Sequence, residues 1–148
     1  MAIVVVAVGT FLTDLPLGTV LDVSAPGLLA GQAVGRLGCV LSGCCVGRPT
    51  ASRWGVWSSD RHLGCRRMPV QLLESAAAAT IAAAAAAVVL VDRGGTGAVM
   101  VGAVAANVLI RQVLFSWRQE PRTVRRGRLV STVVSLAALV IAVVVAVV

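Results

Sequence analysis

Arg36, Gln71, Glu74 and Arg111 are set inside apolar runs of the chain. A guanidinium cannot be deprotonated and is costly in hydrocarbon, so an arginine in such a run needs a phosphate or a carboxylate beside it. Gln71 and Glu74 are three residues apart and share one side of a helix, as do Arg36 and Cys39. Two arginines against one carboxylate leave excess positive charge, which an anionic lipid phosphate would neutralise. The plainer alternative is that one arginine pairs with Glu74 and merely ties two helices together, since buried ions are usually paired.

The stretch from Gly35 to Thr50, GRLGCVLSGCCVGRPT, joins an apolar segment to an arginine-bearing loop. Gly35, Gly38, Gly43 and Gly47 allow close backbone approach or positive φ, so this end of the segment is expected to bend. Cys39, Cys44 and Cys45 follow a C-x4-C-C spacing that matches no standard zinc motif, and adjacent cysteines rarely ligate one ion together. No metal and no cofactor are expected on that basis, and Cys39 reads most simply as a small core residue. His62, the single histidine, reads as a solvated loop residue.

These residues need elements to hold them, and composition says which kind. The chain is 148 residues with 58% hydrophobic content and a mean hydropathy of +0.94, one domain's worth at most. The class expected is all-α, a polytopic transmembrane helix bundle with a long extramembrane loop. Spans are expected at about 17–41, 70–91, 97–117 and 129–148. Residues 1–12 are too short to cross a bilayer and, without a basic start or a small-residue cleavage site, read as the tail of a longer helix, not a leader. Thr13 to Pro16 and Asp92 to Gly95 read as turns. The alanine run Ala82 to Ala87 reads as a close-packing helix face. Ser42 to Met68 reads as a long loop without regular structure, a length that usually signals a lid or binding loop, with Trp54 and Trp57 at head-group depth.

Counting along these spans puts the chemistry at one depth. Arg36 lies about six residues before the first loop, Gln71 and Glu74 just after it, and Arg111 about six residues before the second. At ~1.5 Å per residue all fall within ~10 Å of one membrane face. All 13 basic residues are arginine, and ten lie in the two loops on that face. With a net charge of +7 and almost no aromatic residues to stack on bases, the expected partners are membrane lipids with anionic head groups, and nucleic acid is excluded.

Four blocks, GRLGCVLSGCCVGRPT, WGV at Trp54 to Val56, RMPVQLLE at Arg67 to Glu74 and IRQVLFSWRQEP at Ile110 to Pro121, resemble in order and spacing the prolipoprotein diacylglyceryl transferase family. The resemblance implies transfer of the diacylglyceryl group of phosphatidylglycerol to the lipobox cysteine thiol of a prolipoprotein, with the signal peptide of that prolipoprotein as the second partner. It implies Arg36, Glu74 and Arg111 as catalytic residues and Arg36, Gln71, Arg111 and Arg118 as ligands of the lipid phosphate. Gly35, Gly38, Cys39, Gly43, Cys44 and Gly47 then form the signature loop. Cys39 and Cys44 stand where many members have Asn and Glu, and Phe115 where a glutamate commonly follows the late arginine. The family's HGG-type block would precede residue 1, which implies a fragment or truncated relative of a larger fold. A non-catalytic lipid-binding relative, or a membrane thiol protein working through its cysteines, remain as alternative readings.

The resemblance implies a bacterial cytoplasmic membrane location with the active face outside. The arginine bias of the loops would by itself point inward, but loop arginines that bind lipid phosphate have a separate reason to be there. On an outer face Cys44 or Cys45 could pair with Cys65.

Overall fold

The computed structural model describes residues 16–59, 62, 64–91, 95–118 and 125–147. Among these described residues four α-helices occur: α1 (Leu17–Ser42), α2 (Val70–Val91), α3 (Ala98–Leu114) and α4 (Arg125–Val147). The expected partial span at 1–12, the turn at 13–16 up to Leu15, and most of the Asp92 to Gly95 turn lie outside the described residues. Leu17–Ser42, Val70–Val91 and Ala98–Trp117 are long and apolar enough to cross a membrane, and α4 carries a shorter apolar stretch, Leu129–Val144. Two boundaries differ from the sequence expectation. The third span ends as α-helix at Leu114 and tightens into a 3-10 turn, Phe115–Trp117, and α4 starts at Arg125, four residues before the apolar stretch.

The helices pack through small residues. α1 lies mainly against α2, and α3 against α4 and α2. On α1 the buried positions Asp22, Ala25, Leu29 and Ala33 recur at three or four residues and form one stripe. On α2 only Ala78, Ala82 and Ala85 of the alanine-rich face are buried, and Leu29, Ala82, Ala85 and Ala103 make the apolar core. Alanine lets backbones approach closely, which is how helices gain dispersion energy where lipid is as apolar as a leucine side chain. Large side chains such as Val23, Leu28, Leu90 and Val133 point outward, the inside-out pattern of a bilayer-facing surface.

Polar groups between the helices are paired, as a site without water requires. Gln32 on α1 and Asn107 on α3 exchange two amide hydrogen bonds, at 3.2 and 3.1 Å. The Ser75 hydroxyl donates to the Ala33 carbonyl, α2 to α1, at 2.8 Å. Buried Asp22 accepts from the Gly97 and Met100 amides at 2.9 and 3.0 Å, and so satisfies the start of α3, which has no side-chain cap of its own.

The loop expected to be irregular is ordered by strand pairing. β1 (Val56–Trp57) and β2 (Arg66–Arg67) form an antiparallel pair, and isolated bridges join Pro49 to Arg67 and Gly47 to Arg118. Thus residues 47–50 lie between β2 and the segment after α3, tied by Met68 N–H to the Arg48 carbonyl (3.1 Å) and Arg48 N–H to the Trp117 carbonyl (2.9 Å). A short polar stretch that must cross back over the bundle has its backbone groups satisfied in this way.

Candidate functional site

Glu74, in the second turn of α2, is the centre of the site. Its side chain is 2% exposed and faces three arginines from three parts of the chain. Arg36 Nε of α1 is 2.9 Å from Oε2, Arg118 Nη1 is 3.3 Å from Oε1, and Arg111 Nε of α3 is 4.0 Å from Oε1. Arg36 and Arg118 are mostly covered, at 13% and 12%, whereas Arg111 is 43% exposed. Among the described residues one carboxylate therefore faces three guanidinium groups. With both oxygens engaged by guanidinium groups, Glu74 is placed to position cations.

Each arginine has a reason to be where it is. Arg36 lies on the buried side of α1, three residues after Ala33. Arg111 is in the last turn of α3, where a cation also suits the partial negative charge of the helix end. Arg118 is fixed by the strand bridge to Gly47, and its carbonyl accepts from Arg48 Nε at 3.3 Å. A cavity of about 330 Å³ opens beside this group, lined by Val108, Arg111, Gln112, Phe115, Arg118 and Ser131. It is polar at the arginines and meets, at Val108, an apolar groove of about 320 Å³ between α3 and α4 that includes Val101, Val104 and Val134.

Gln71, one turn before Glu74, donates from Nε2 to the Cys44 carbonyl at 2.8 Å and so holds the signature loop. Of the signature glycines, Gly43 and Gly47 are structurally required. Gly43 ends α1 in the left-handed region (φ 70°), with its N–H bonded to the Val40 carbonyl. A side chain at Gly47 would collide with the Met68 carbonyl oxygen. Gly35 and Gly38 differ from expectation: both are helical, and a Cβ at either would meet nothing within 4 Å. They sit on the outward side of α1, where their effect is to leave that surface low.

All four cysteines are free thiols, and the expected bond from Cys44 or Cys45 to Cys65 is absent because the loop turns those thiols back on α1. The sulfur atoms of Cys39, Cys44 and Cys45 lie within 4.8 Å of one another. The Ser42 hydroxyl, 3.3 Å from Cys44 Sγ, together with Cys39, lowers the Cys44 thiol pKa below its ordinary value. His62 is exposed. Trp54 and Trp57 are exposed on the hairpin, with the Arg53 guanidinium 5.2 Å over the Trp54 ring. Arg61 and Arg122 lie outside the described residues.

Sequence reasoning missed Asp22 as the cap of α3, the Gln32 and Asn107 pair, and buried Arg67, whose Nη1 donates to the Gly47 carbonyl at 3.2 Å. The signal available for the first two was a polar residue inside an apolar span; for Arg67 only its place in the RMPVQLLE block marked it.

Comparison with known proteins places these residues in context. A family model described as "Prolipoprotein diacylglyceryl transferase" matches residues 1–148. The chain is 64% identical over 31 residues to a phosphatidylglycerol–prolipoprotein diacylglyceryl transferase of Dehalococcoides mccartyi (strain CBDB1), covering 21% of this chain and 12% of that protein. It is 49% identical over 35 residues to phosphatidylglycerol–prolipoprotein diacylglyceryl transferase 2 of Clostridium perfringens (strain 13 / Type A), covering 24% of this chain and 14% of the relative. The matched segment thus spans about an eighth of the length of these curated relatives. No solved structure matches.

Proposed function

Because the chain belongs to the prolipoprotein diacylglyceryl transferase family, we propose that it transfers the diacylglyceryl group of phosphatidylglycerol to the lipobox cysteine thiol of a prolipoprotein. The observation that carries this reading is the gathering of three guanidinium groups around Glu74, with the most exposed of them, Arg111, opening into the 330 Å³ cavity. A phosphodiester is the anion that such a group of guanidinium donors suits.

In the proposed reaction the substrate thiolate attacks the glyceryl carbon that bears the phosphate. An S–C bond forms, the C–O bond to phosphate breaks, and glycerol phosphate leaves as the thiol's proton is released. Negative charge grows on the leaving phosphate, so cations already fixed in place stabilise the transition state more than the ground state. Arg111 and Arg118 line the cavity and are assigned to the phosphate; Arg36, held by Glu74 at 2.9 Å, keeps the third positive charge nearby. Glu74 acts by positioning all three. Gln71 holds the signature loop against α2 through the Cys44 carbonyl. The groove that begins at Val108 suits an acyl chain, because it is lined mostly by apolar α3 and α4 side chains.

The site is assigned to the outer face of the bacterial cytoplasmic membrane, where exported prolipoproteins present their thiols. Complementation tests the reading in cells: the chain, expressed in a strain depleted of its own transferase, is expected to restore growth and lipoprotein modification, and R111A to fail at equal protein level. Failure of the unaltered chain, inserted and folded, would overturn it.

A further inference from the structure

Thiol alkylation needs a thiolate, and the arginine site offers no free base: Glu74 is engaged by Arg36, Arg111 and Arg118. Cys39, one of three clustered cysteines, is one helical turn beyond Arg36. Its geometry is built by the end of α1. Gly43 turns the chain through the left-handed region, Cys44 N–H closes on the Cys39 carbonyl at 3.2 Å, and Cys45 itself adopts φ 55°, the one non-glycine positive φ among the described residues. A non-glycine residue held there costs backbone energy, and here the turn folds the Cys44 and Cys45 sulfurs back beside Cys39.

We propose that Cys39, Cys44 and Cys45 form an open three-thiolate site for a zinc-type d10 cation, whose fourth position takes the incoming thiol and holds it as thiolate. The second half of this proposal rests on the transferase reading above. Tetrahedral thiolates at ~2.3 Å from zinc stand about 3.8 Å apart, so sulfurs within 4.8 Å need only a side-chain adjustment to close on one ion. Cys44 and Cys45 are exposed, which leaves room for a ligand from outside, as sites with three protein ligands have. The loop is held from behind by the Gln71 bond to the Cys44 carbonyl and by Ser42, whose hydroxyl donates to the Gly38 carbonyl at 3.0 Å. Three thiolates and one divalent ion carry a net charge of −1, and Arg36 is the nearby cation. Binding releases three protons from the protein thiols, and entry of the substrate thiol releases a fourth. Attack then converts the bound sulfur to a neutral thioether, a weak ligand that leaves.

The test uses the full chain in detergent, reduced and metal-free, titrated with Cd2+ and followed by thiolate-to-cadmium charge-transfer absorption. One ion per chain is expected. C39S, C44S and C45S should each weaken binding by more than the ~10–100-fold typical of losing a group that merely orients a ligand, while C65S binds as the parent does. Adding N-acetylcysteinamide should raise the absorption by about a third, three thiolates becoming four. Absence of one-to-one binding, binding that survives C44S, or dependence on Cys65 would overturn the site. No lipid is present in this titration, so its outcome is independent of the transferase reading. In the converse arm, transfer at an undiminished rate by chelator-treated, metal-free protein would overturn the role for the fourth position and leave the transferase reading standing.

Discussion

Arg36 Nε and Glu74 Oε2 stand 2.9 Å apart across the α1 and α2 interface, and this contact organises the rest of the site. It ties the helix that ends in the signature loop to the helix that begins after it. Glu74→Gln removes the charge that three arginines share. Leaving partly covered guanidinium groups without a counter-charge is expected to cost about 3 kcal/mol, the lower end for breaking a buried pair, because Arg111 can still turn toward solvent. Reversible unfolding in mixed micelles measures it; a change under about 0.5 kcal/mol would mean that Glu74 does not hold the helices together.

Arg111 should separate from Arg36 in its effects. It is the most exposed of the three and 4.0 Å from Glu74, so Arg111→Ala should leave stability within about 0.5 kcal/mol of the parent. Transfer should nevertheless fall about 100-fold or more, since in the proposed reaction the lost group faces the developing phosphate charge. Arg36→Ala is expected to lower both. Parallel unfolding and transfer measurements on the two variants make the comparison, and equal loss of stability in both would contradict it.

The glycines divide in the same way. Gly47→Ala places a methyl group against the Met68 carbonyl, a backbone atom that cannot turn aside, and should destabilise by about 1–3 kcal/mol. Gly35→Ala and Gly38→Ala meet open space within a helix and should be neutral or stabilising by up to about 1 kcal/mol. Thermal unfolding ranks the three. A loss of transfer in Gly35→Ala without loss of stability would mark that surface as one a substrate touches.

Asp22→Ala should cost about 1–2 kcal/mol through the amides of Gly97 and Met100 that it leaves unsatisfied. Hydrogen exchange at those two amides is the direct readout, with faster exchange there and little change in α2.

How much of this was legible follows from how local each feature is. The depth of Arg36, Glu74 and Arg111 could be counted from the ends of apolar runs, because helix rise is constant. The pairing of Gly47 with Arg118 could not, since it joins residues 71 apart through backbone groups that carry no residue signature. That Asp22 caps α3 depends on how α1 and α3 pack, which a lone carboxylate in an apolar run does not show. That three of the cysteines lie together was hidden for a related reason. C-x4-C-C has no standard ligand spacing, and the thiols converge only because a helix end and the left-handed turn at Cys45 reverse the chain between them. The loop from Ser42 to Met68 read as irregular because two-residue strands are too short for alternation to show.

Orientation has its own test. With the native cysteines replaced, Ala51→Cys on the exposed loop should react with a membrane-impermeant maleimide in intact spheroplasts; protection until lysis would place the site on the cytoplasmic side.

The most direct measurement is the transfer itself. The purified chain, reconstituted in vesicles containing phosphatidylglycerol and given a synthetic lipobox peptide, should yield peptide heavier by one diacylglyceryl group in thioether linkage, with glycerol phosphate released in equal amount and both products lost in Arg111→Ala. Peptide that stays unmodified in the presence of folded, inserted protein, or product formed equally well by Arg111→Ala, would contradict the account.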